Sequence, residues 1–208
     1  MDHREIAFEN IPVTEESIET VPHTDYFSEE LNEKYRKINI ELLKMVKNQD
    51  VGIEAAAICD ESFNLIGDYV VGTYFSVKIP GAAVPHHVIH NHPSGETLNV
   101  KELLVLTKRR NMLSITALGN DGNIYCVIAS PQSDPSGFAE YLEKRMNEVI
   151  FKFEDKPYSY KEILNGDLDL MQLNVFQESE LEEIIYNFHE ECAEESEKYG
   201  YRYFRTLI

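Results

Sequence analysis

The sequence reads His-Asn-His-Pro-Ser-Gly at residues 90–95, directly after a short apolar run. Side chains in an extended strand repeat every second position, so the imidazoles of His90 and His92 are expected to point the same way. The Pro-Ser-Gly that follows favours a sharp turn, and Asn99 is a suitable N-cap for a helix. Such a helix would bring Glu102 back towards the two histidines, which makes these three residues a candidate metal site.

The upstream stretch 53–59 is small and apolar and contains one charged residue, Glu54. An unpaired carboxylate in an apolar strand is unfavourable, and burial raises its pKa. A hydrolytic zinc site needs three protein ligands, an open position for water and a carboxylate that takes the proton of that water. His90 and His92 would supply two ligands, and Glu54 would be the general base. The alternative for Glu54 is a strand residue that faces solvent.

Together these residues resemble the JAMM motif of the MPN, or JAB, metalloprotease family. The resemblance covers about residues 51 to 130 and is closest to the RadC-like branch and to JAB domains of phage-related proteins. In that family two histidines and an aspartate bind zinc, a strand glutamate activates water, and a serine helps to stabilise the oxyanion. Carried over, the resemblance makes His90 and His92 zinc ligands and Glu54 the base.

The third ligand departs from the family pattern. Counted from the first histidine, the family's serine and aspartate positions fall on Val100 and Leu103, which are apolar. A loop one residue shorter moves them to Asn99 and Glu102 and keeps their three-residue spacing. A loop deletion costs little, whereas a deletion within the helix would rotate every later side chain by about 100°. We therefore expect Glu102 as the third zinc ligand and Asn99 as the oxyanion donor; a capping box explains the same pair equally well.

The rest of the sequence predicts an α+β fold in which helices are layered on a mixed β-sheet. Extended runs lie at residues 53–59, 65–73, 113–118 and 124–128. Helical spacing of apolar residues, or a helix start signal, lies at residues 28–47, 100–110, 138–153 and 179–199. The Asp-Gly pair at 121–122 is typical of a hairpin turn, and Gly200 is the expected C-cap of the last helix.

Three regions follow from this pattern. We expect residues 1–50 to form an acidic arm and an N-terminal helix, and residues 154–208 to form a C-terminal helical extension. Residues 51–153 would form the MPN/JAB-like core, with one helix inside it. His86 and His87 follow a proline and are predicted to lie in a surface loop, and His189 is predicted to take part in helix packing.

Composition limits the function. The 37 acidic and 19 basic residues give a net charge of −18, which disfavours a broad nucleic-acid surface and makes a RadC-like DNA-associated role the least favoured. Three widely spaced cysteines indicate a reducing compartment. The sequence shows neither a signal pattern nor an apolar run of membrane-spanning length, so we expect a cytoplasmic protein that does not bind membranes.

Two functions stay open at this point. The first is a zinc-dependent JAMM-type peptidase or isopeptidase, a hydrolase whose protein or peptide substrate, by resemblance, is an extended tail such as a ubiquitin-like C-terminus. The second is a catalytically weak MPN scaffold that binds a protein partner through its terminal helices, and in a phage-related setting this would be a structural accessory. The same helices would allow a homo-oligomer or a larger assembly.

Overall fold

The computed structural model describes residues 10–152, except 75 and 80, and residues 187–208. Within these residues a six-stranded sheet has the strand order β2-β1-β3-β4-β5-β6. Its strands are β1 (Ile53–Asp60), β2 (Val70–Tyr74), β3 (His86–His92), β4 (Met112–Gly119), β5 (Ile124–Ala129) and β6 (Tyr201–Thr206). β3 and β4 are parallel, and the other neighbouring strands are antiparallel. The sheet is therefore mixed, as predicted.

Helices cover both faces of this sheet. They are α1 (Glu15–Glu19), α2 (Glu29–Val46), α3 (Val100–Lys108), which connects β3 to β4, and α4 (Pro135–Lys152). Residues 187–195 are also helical and lead through the 3-10 helix Ser196–Tyr199 into β6. None of the helices in the described ranges combines the length and the hydropathy that a bilayer crossing requires. The predicted α+β fold, with an internal helix and flanking helices, is confirmed.

The alternation of side chains in β3 decides which face carries the candidate site. Ile89 packs with α1 and α2 in one core, whereas Val88 packs with α3, α4 and Phe188 in the other. Because side chains alternate along a strand, His90 and His92 share the face of Val88. The crossover from β3 through α3 to β4 places α3 on this same face. The fold thus sets the start of α3 against the two histidines.

The C-terminal segment differs from its predicted form. Gly200 has a φ of 78°, the left-handed conformation expected of a helix C-cap glycine. The chain then forms β6, an edge strand paired antiparallel with β5, where only a helical extension was predicted. Residues 179–186 of the predicted last helix lie outside the described residues, as does most of the predicted 154–208 extension. The three predicted regions remain predictions.

The prediction that His86 and His87 lie in a surface loop is wrong. Both belong to β3 and are buried, with exposed fractions of 1% and 5%. The strand begins immediately after the proline, so the loop ends two residues earlier than predicted. His87 Nδ1 lies 2.7 Å from Ser114 Oγ, and the His87 ring stacks on Phe63 at a centroid distance of 4.2 Å.

This burial makes the stability of the protein sensitive to acid. Burial lowers the pKa of His87 to about 4, whereas a histidine in the unfolded chain has a pKa of about 6.5. Between these pH values the unfolded chain binds a proton that the folded chain excludes. The free energy of unfolding should therefore fall by up to about 3 kcal/mol as the pH falls through this window.

His87→Gln should flatten that pH dependence, because glutamine does not titrate and can still reach Ser114. Urea unfolding at several pH values between about 4.5 and 7 measures the effect. His23→Gln, at an exposed histidine, is the matched control. Equal pH dependences in the wild type and His87→Gln would contradict this origin of acid sensitivity.

Candidate metal centre

Three side-chain atoms converge where β3 ends and α3 begins. His90 Nε2 lies 2.9 Å from His92 Nε2. Glu102 Oε1 lies 2.7 Å from His90 Nε2 and 3.0 Å from His92 Nε2. The two imidazoles are buried, and the Glu102 side chain is 14% exposed. This His90, His92 and Glu102 group could hold a metal ion.

The contacts of His92 favour a metal ligand. His92 Nδ1 lies 3.0 Å from the backbone carbonyl oxygen of Glu96, so Nδ1 carries a proton and donates it in a hydrogen bond. In the neutral imidazole Nε2 then has a free lone pair, and a hydrogen bond from Nδ1–H to a carbonyl is typical of ligating histidines. That lone pair faces the Glu102 carboxylate at 3.0 Å, and either a proton or a metal ion between the two atoms makes this contact favourable.

The charges lead to the same conclusion. Burial opposes the charge on both His92 and Glu102, but their mutual attraction is stronger: it holds the pKa of His92 above its usual value and the pKa of Glu102 far below its usual range. Without a metal, a proton on His92 supplies the positive charge. A divalent ion would supply it without that proton, and two imidazoles with one carboxylate are a suitable donor set.

Glu102 serves the helix cap and the candidate site with different oxygens. Its Oε2 accepts a hydrogen bond from the backbone N–H of Asn99 at 2.8 Å, while Oε1 faces the histidines. Asn99 Oδ1 in turn accepts from the backbone N–H of Glu102 at 3.0 Å, which completes the capping box. The cap and the metal site are therefore compatible, because the cap fixes the carboxylate that the site needs. Val100 and Leu103, the unshifted positions, are buried in the apolar core.

Glu54 lies on the same face as the histidines but is separate from the converging atoms. β1 and β3 are antiparallel with Ala56 opposite His90, so Glu54, two residues earlier, is on the face of His90, and its carboxylate is near enough to His92 for their charges to interact. Its carboxylate accepts a hydrogen bond from the backbone N–H of Val77. Burial raises the pKa of Glu54, and the two histidines partly oppose this rise. Glu54 thus lies near the three converging atoms without being one of them.

Asn99 is available as a donor through one atom only. Its Oδ1 is engaged by the Glu102 N–H, which fixes the orientation of the amide and leaves Nδ2 to donate. The Asn99 side chain is half-buried at the start of α3, where the Glu102 carboxylate accepts from the Asn99 backbone N–H. The cap thus fixes the Asn99 side chain at the start of the helix that carries Glu102.

His189 is a neighbour of the site that sequence reasoning missed. Its Nδ1 accepts a hydrogen bond from the backbone N–H of Val100 at 3.3 Å, across 89 residues of sequence. Burial lowers the pKa of His189 to about 4, so this imidazole is neutral and can accept. The helical residues that carry it are tied to α4, because Arg145 Nη2 contacts both carboxylate oxygens of Glu191, at 2.7 and 2.8 Å.

His189→Ala should weaken metal binding about tenfold, because loss of an outer partner loosens the turn that carries Glu102. It should also lower stability by about 1–3 kcal/mol, since the buried Val100 N–H loses its acceptor. Competition with a chromophoric chelator measures the affinity, and urea unfolding measures the stability. Cys192→Ala, at a buried position of the same helical residues, is the control: it should change stability without changing affinity. Equal affinities in the wild type and His189→Ala would contradict the supporting role.

The structure therefore brings His90, His92 and Glu102 into contact, with Glu54 on the same face and Asn99 bonded to Glu102 in the capping box. His189 joins the group from the far end of the chain, where no local sequence signal could identify it. No family model, curated protein or solved structure matches this chain.

Proposed function

We propose that the protein is a zinc-dependent hydrolase of amide bonds, a peptidase or isopeptidase of JAMM type. The observation that carries this proposal is the convergence of two imidazole nitrogens and one carboxylate oxygen within 3.0 Å of one another. Two histidines and a carboxylate, with a fourth position for water, are a ligand set of hydrolytic zinc sites. A second carboxylate, Glu54, lies on the same face and supplies the base that such a site needs.

Each residue has a role in this reaction. A bound zinc ion would polarise the substrate carbonyl and lower the pKa of its water to about 7. Glu54 would take a proton from that water and return it to the leaving amine, and its raised pKa brings it closer to neutral pH, where proton transfer in both directions is efficient. Asn99 Nδ2 would donate to the oxyanion that develops on the carbonyl.

An extended polypeptide is the substrate class that the surroundings favour. β2 is an edge strand next to β1, which carries Glu54, and its residues Val71 and Tyr74 are exposed by 48% and 41%. A substrate tail can add to such an edge through backbone hydrogen bonds while apolar side chains hold it. The net charge of −18 disfavours a polyanionic substrate. A ubiquitin-like C-terminus has the required extended form.

Metal analysis followed by a hydrolysis screen tests the proposal. Tag-free protein purified without chelator should contain about one zinc per chain, as expected for one site built from three ligands. Zinc-loaded protein should cleave members of a panel of peptides and isopeptide-linked ubiquitin-like chains. Chelator should remove this activity, added Zn²⁺ should restore it, and His92→Ala should lack it.

Other outcomes would overturn the proposal. Native iron in place of zinc would contradict it, since two histidines and one carboxylate are also a ligand set for non-haem iron. The absence of any metal after reconstitution would contradict it too, and would leave the catalytically weak scaffold as the remaining function.

A further inference from the structure

The side chain of Asn91, between the two histidines, binds the backbone on both sides of Glu54. Asn91 Oδ1 accepts a hydrogen bond from the backbone N–H of Ala55 at 2.6 Å. Asn91 Nδ2 donates to the backbone carbonyl of Ile53 at 3.1 Å. We infer that Asn91 is a positioning residue that sets the location of the Glu54 carboxylate relative to the metal ligands. This inference rests on the proposed function, in which Glu54 is the base.

The pairing of β1 shows why the two hydrogen bonds between Asn91 and the β1 backbone are needed. The β1–β3 ladder runs from Asp60 opposite His86 to Ala56 opposite His90 and ends there. At the next position the amide of Asn91 replaces the backbone groups of β3 as the partner of β1. On its other side, β1 has an irregular register with β2 between Ile53 and Ala55. Glu54 is therefore the residue at which β1 departs from regular pairing, and such irregularities re-aim a side chain.

Asn91 and its partner Asn120 are buried, so water cannot replace their hydrogen bonds. Asn91 has no exposed surface, and Nδ2 also donates to Asn120 Oδ1 at 3.0 Å. Asn120 is itself buried, and its backbone N–H donates to the carbonyl of His92 at 3.1 Å. A buried amide without its partners is costly, so each of these bonds restricts where the β1 backbone can lie. The base and the ligands are thus linked through one buried network.

The carboxylate of Glu54 is restrained at its other end by the Val77 N–H. The chain reaches Val77 through a tight turn in which Thr73 and Ser76 exchange backbone hydrogen bonds, at 2.8 and 3.3 Å. Asn91 therefore fixes the backbone of Glu54, and the segment after β2 fixes its carboxylate. Removal of Asn91 should free the backbone while the ligand atoms of His90, His92 and Glu102 keep their own contacts.

Two measurements on the full chain test this role without a substrate. In the metal-free protein, amide hydrogen exchange at Ala55 should be ~tenfold faster in Asn91→Ala than in the wild type, because the buried N–H loses its acceptor. In the Co²⁺-loaded protein, Glu54→Gln should change the visible absorption spectrum, since the carboxylate no longer faces the open coordination position. Asn91→Ala should bind Co²⁺ and give the same spectral change, and the double variant should add nothing.

Two further variants control for the loss of a buried asparagine in general and for a failure of Asn91→Ala to fold. Asn39→Ala removes another fully buried asparagine, in α2, and should leave both the Ala55 exchange and the Co²⁺ spectrum as in the wild type. Asn91→Asp keeps the volume and an acceptor for Ala55 but loses the donor to Ile53, so it should show the spectral change even if Asn91→Ala fails to fold.

The outcomes distinguish the positioning role of Asn91 from the proposed role of Glu54 as the base. An unchanged spectrum in folded Asn91 variants, next to a changed one in Glu54→Gln, would overturn the positioning role alone. Loss of Co²⁺ binding in those variants would overturn it as well, because Asn91 would then act on the ligands. A Glu54→Gln spectrum identical to the wild type would instead overturn the proposed base, and with it the proposed function.

Discussion

Glu102→Gln should strongly weaken metal binding and leave the fold intact. Glutamine is as suitable as glutamate at the third helical position of a capping box, so its amide oxygen can still accept the Asn99 N–H. A neutral amide oxygen is a poor replacement for the carboxylate that faces both imidazoles. If one ligand supplies about a quarter of the ~10–16 kcal/mol with which zinc binds such sites, affinity should fall by ~100- to 1000-fold. Chelator competition measures the affinity, and urea unfolding of the metal-free protein measures the stability.

Glu102→Ala separates the two roles of this carboxylate. It should lose metal binding to the same extent, and its metal-free form should be about 1 kcal/mol less stable than that of Glu102→Gln because the cap is incomplete. Glu143→Gln, at an exposed acidic residue of α4, is the matched control and should change neither quantity. Wild-type metal affinity in Glu102→Gln would mean that another residue is the third ligand.

The sequence could predict the candidate ligands because their geometry is local. His90 and His92 are two residues apart in one strand, and the period of a strand alone places them on one face. Asn99 and Glu102 are three residues apart at a helix start, where capping preferences are strong. Only the loop length between these two elements had to be inferred.

The supporting residues depend on contacts that local patterns do not encode. His189 reaches Val100 across 89 residues, and no periodicity predicts that contact. The role of Asn91 depends on the register between β1 and β3, which the sequence of neither strand specifies. The strand β6 is a further example, because its pairing with β5 is not specified by the sequence of either strand.

Glu54→Gln should reduce turnover by about 10²–10⁴-fold while it leaves metal affinity close to the wild-type value, because a positioned general base typically contributes that factor. Glutamine keeps the size and the acceptor for the Val77 N–H but cannot take a proton. In the wild type the base must be ionised, so kcat should fall as the pH is lowered through the pKa of Glu54, which burial places above the ordinary glutamate value.

Asp60→Asn gives the matched control for this variant, because it neutralises a carboxylate at the other end of β1 and keeps the acceptor for the Ser62 and Asn64 N–H groups. It should leave kcat and its pH dependence unchanged. The diagnostic combination is therefore a metal-loaded Glu54→Gln protein that binds substrate and fails to turn it over. Wild-type turnover in that protein would mean that a group other than Glu54 takes the proton. Glu102 is not that group, because its Oε1 is already engaged by both imidazoles. The raised pKa of Glu54 would then reflect burial alone.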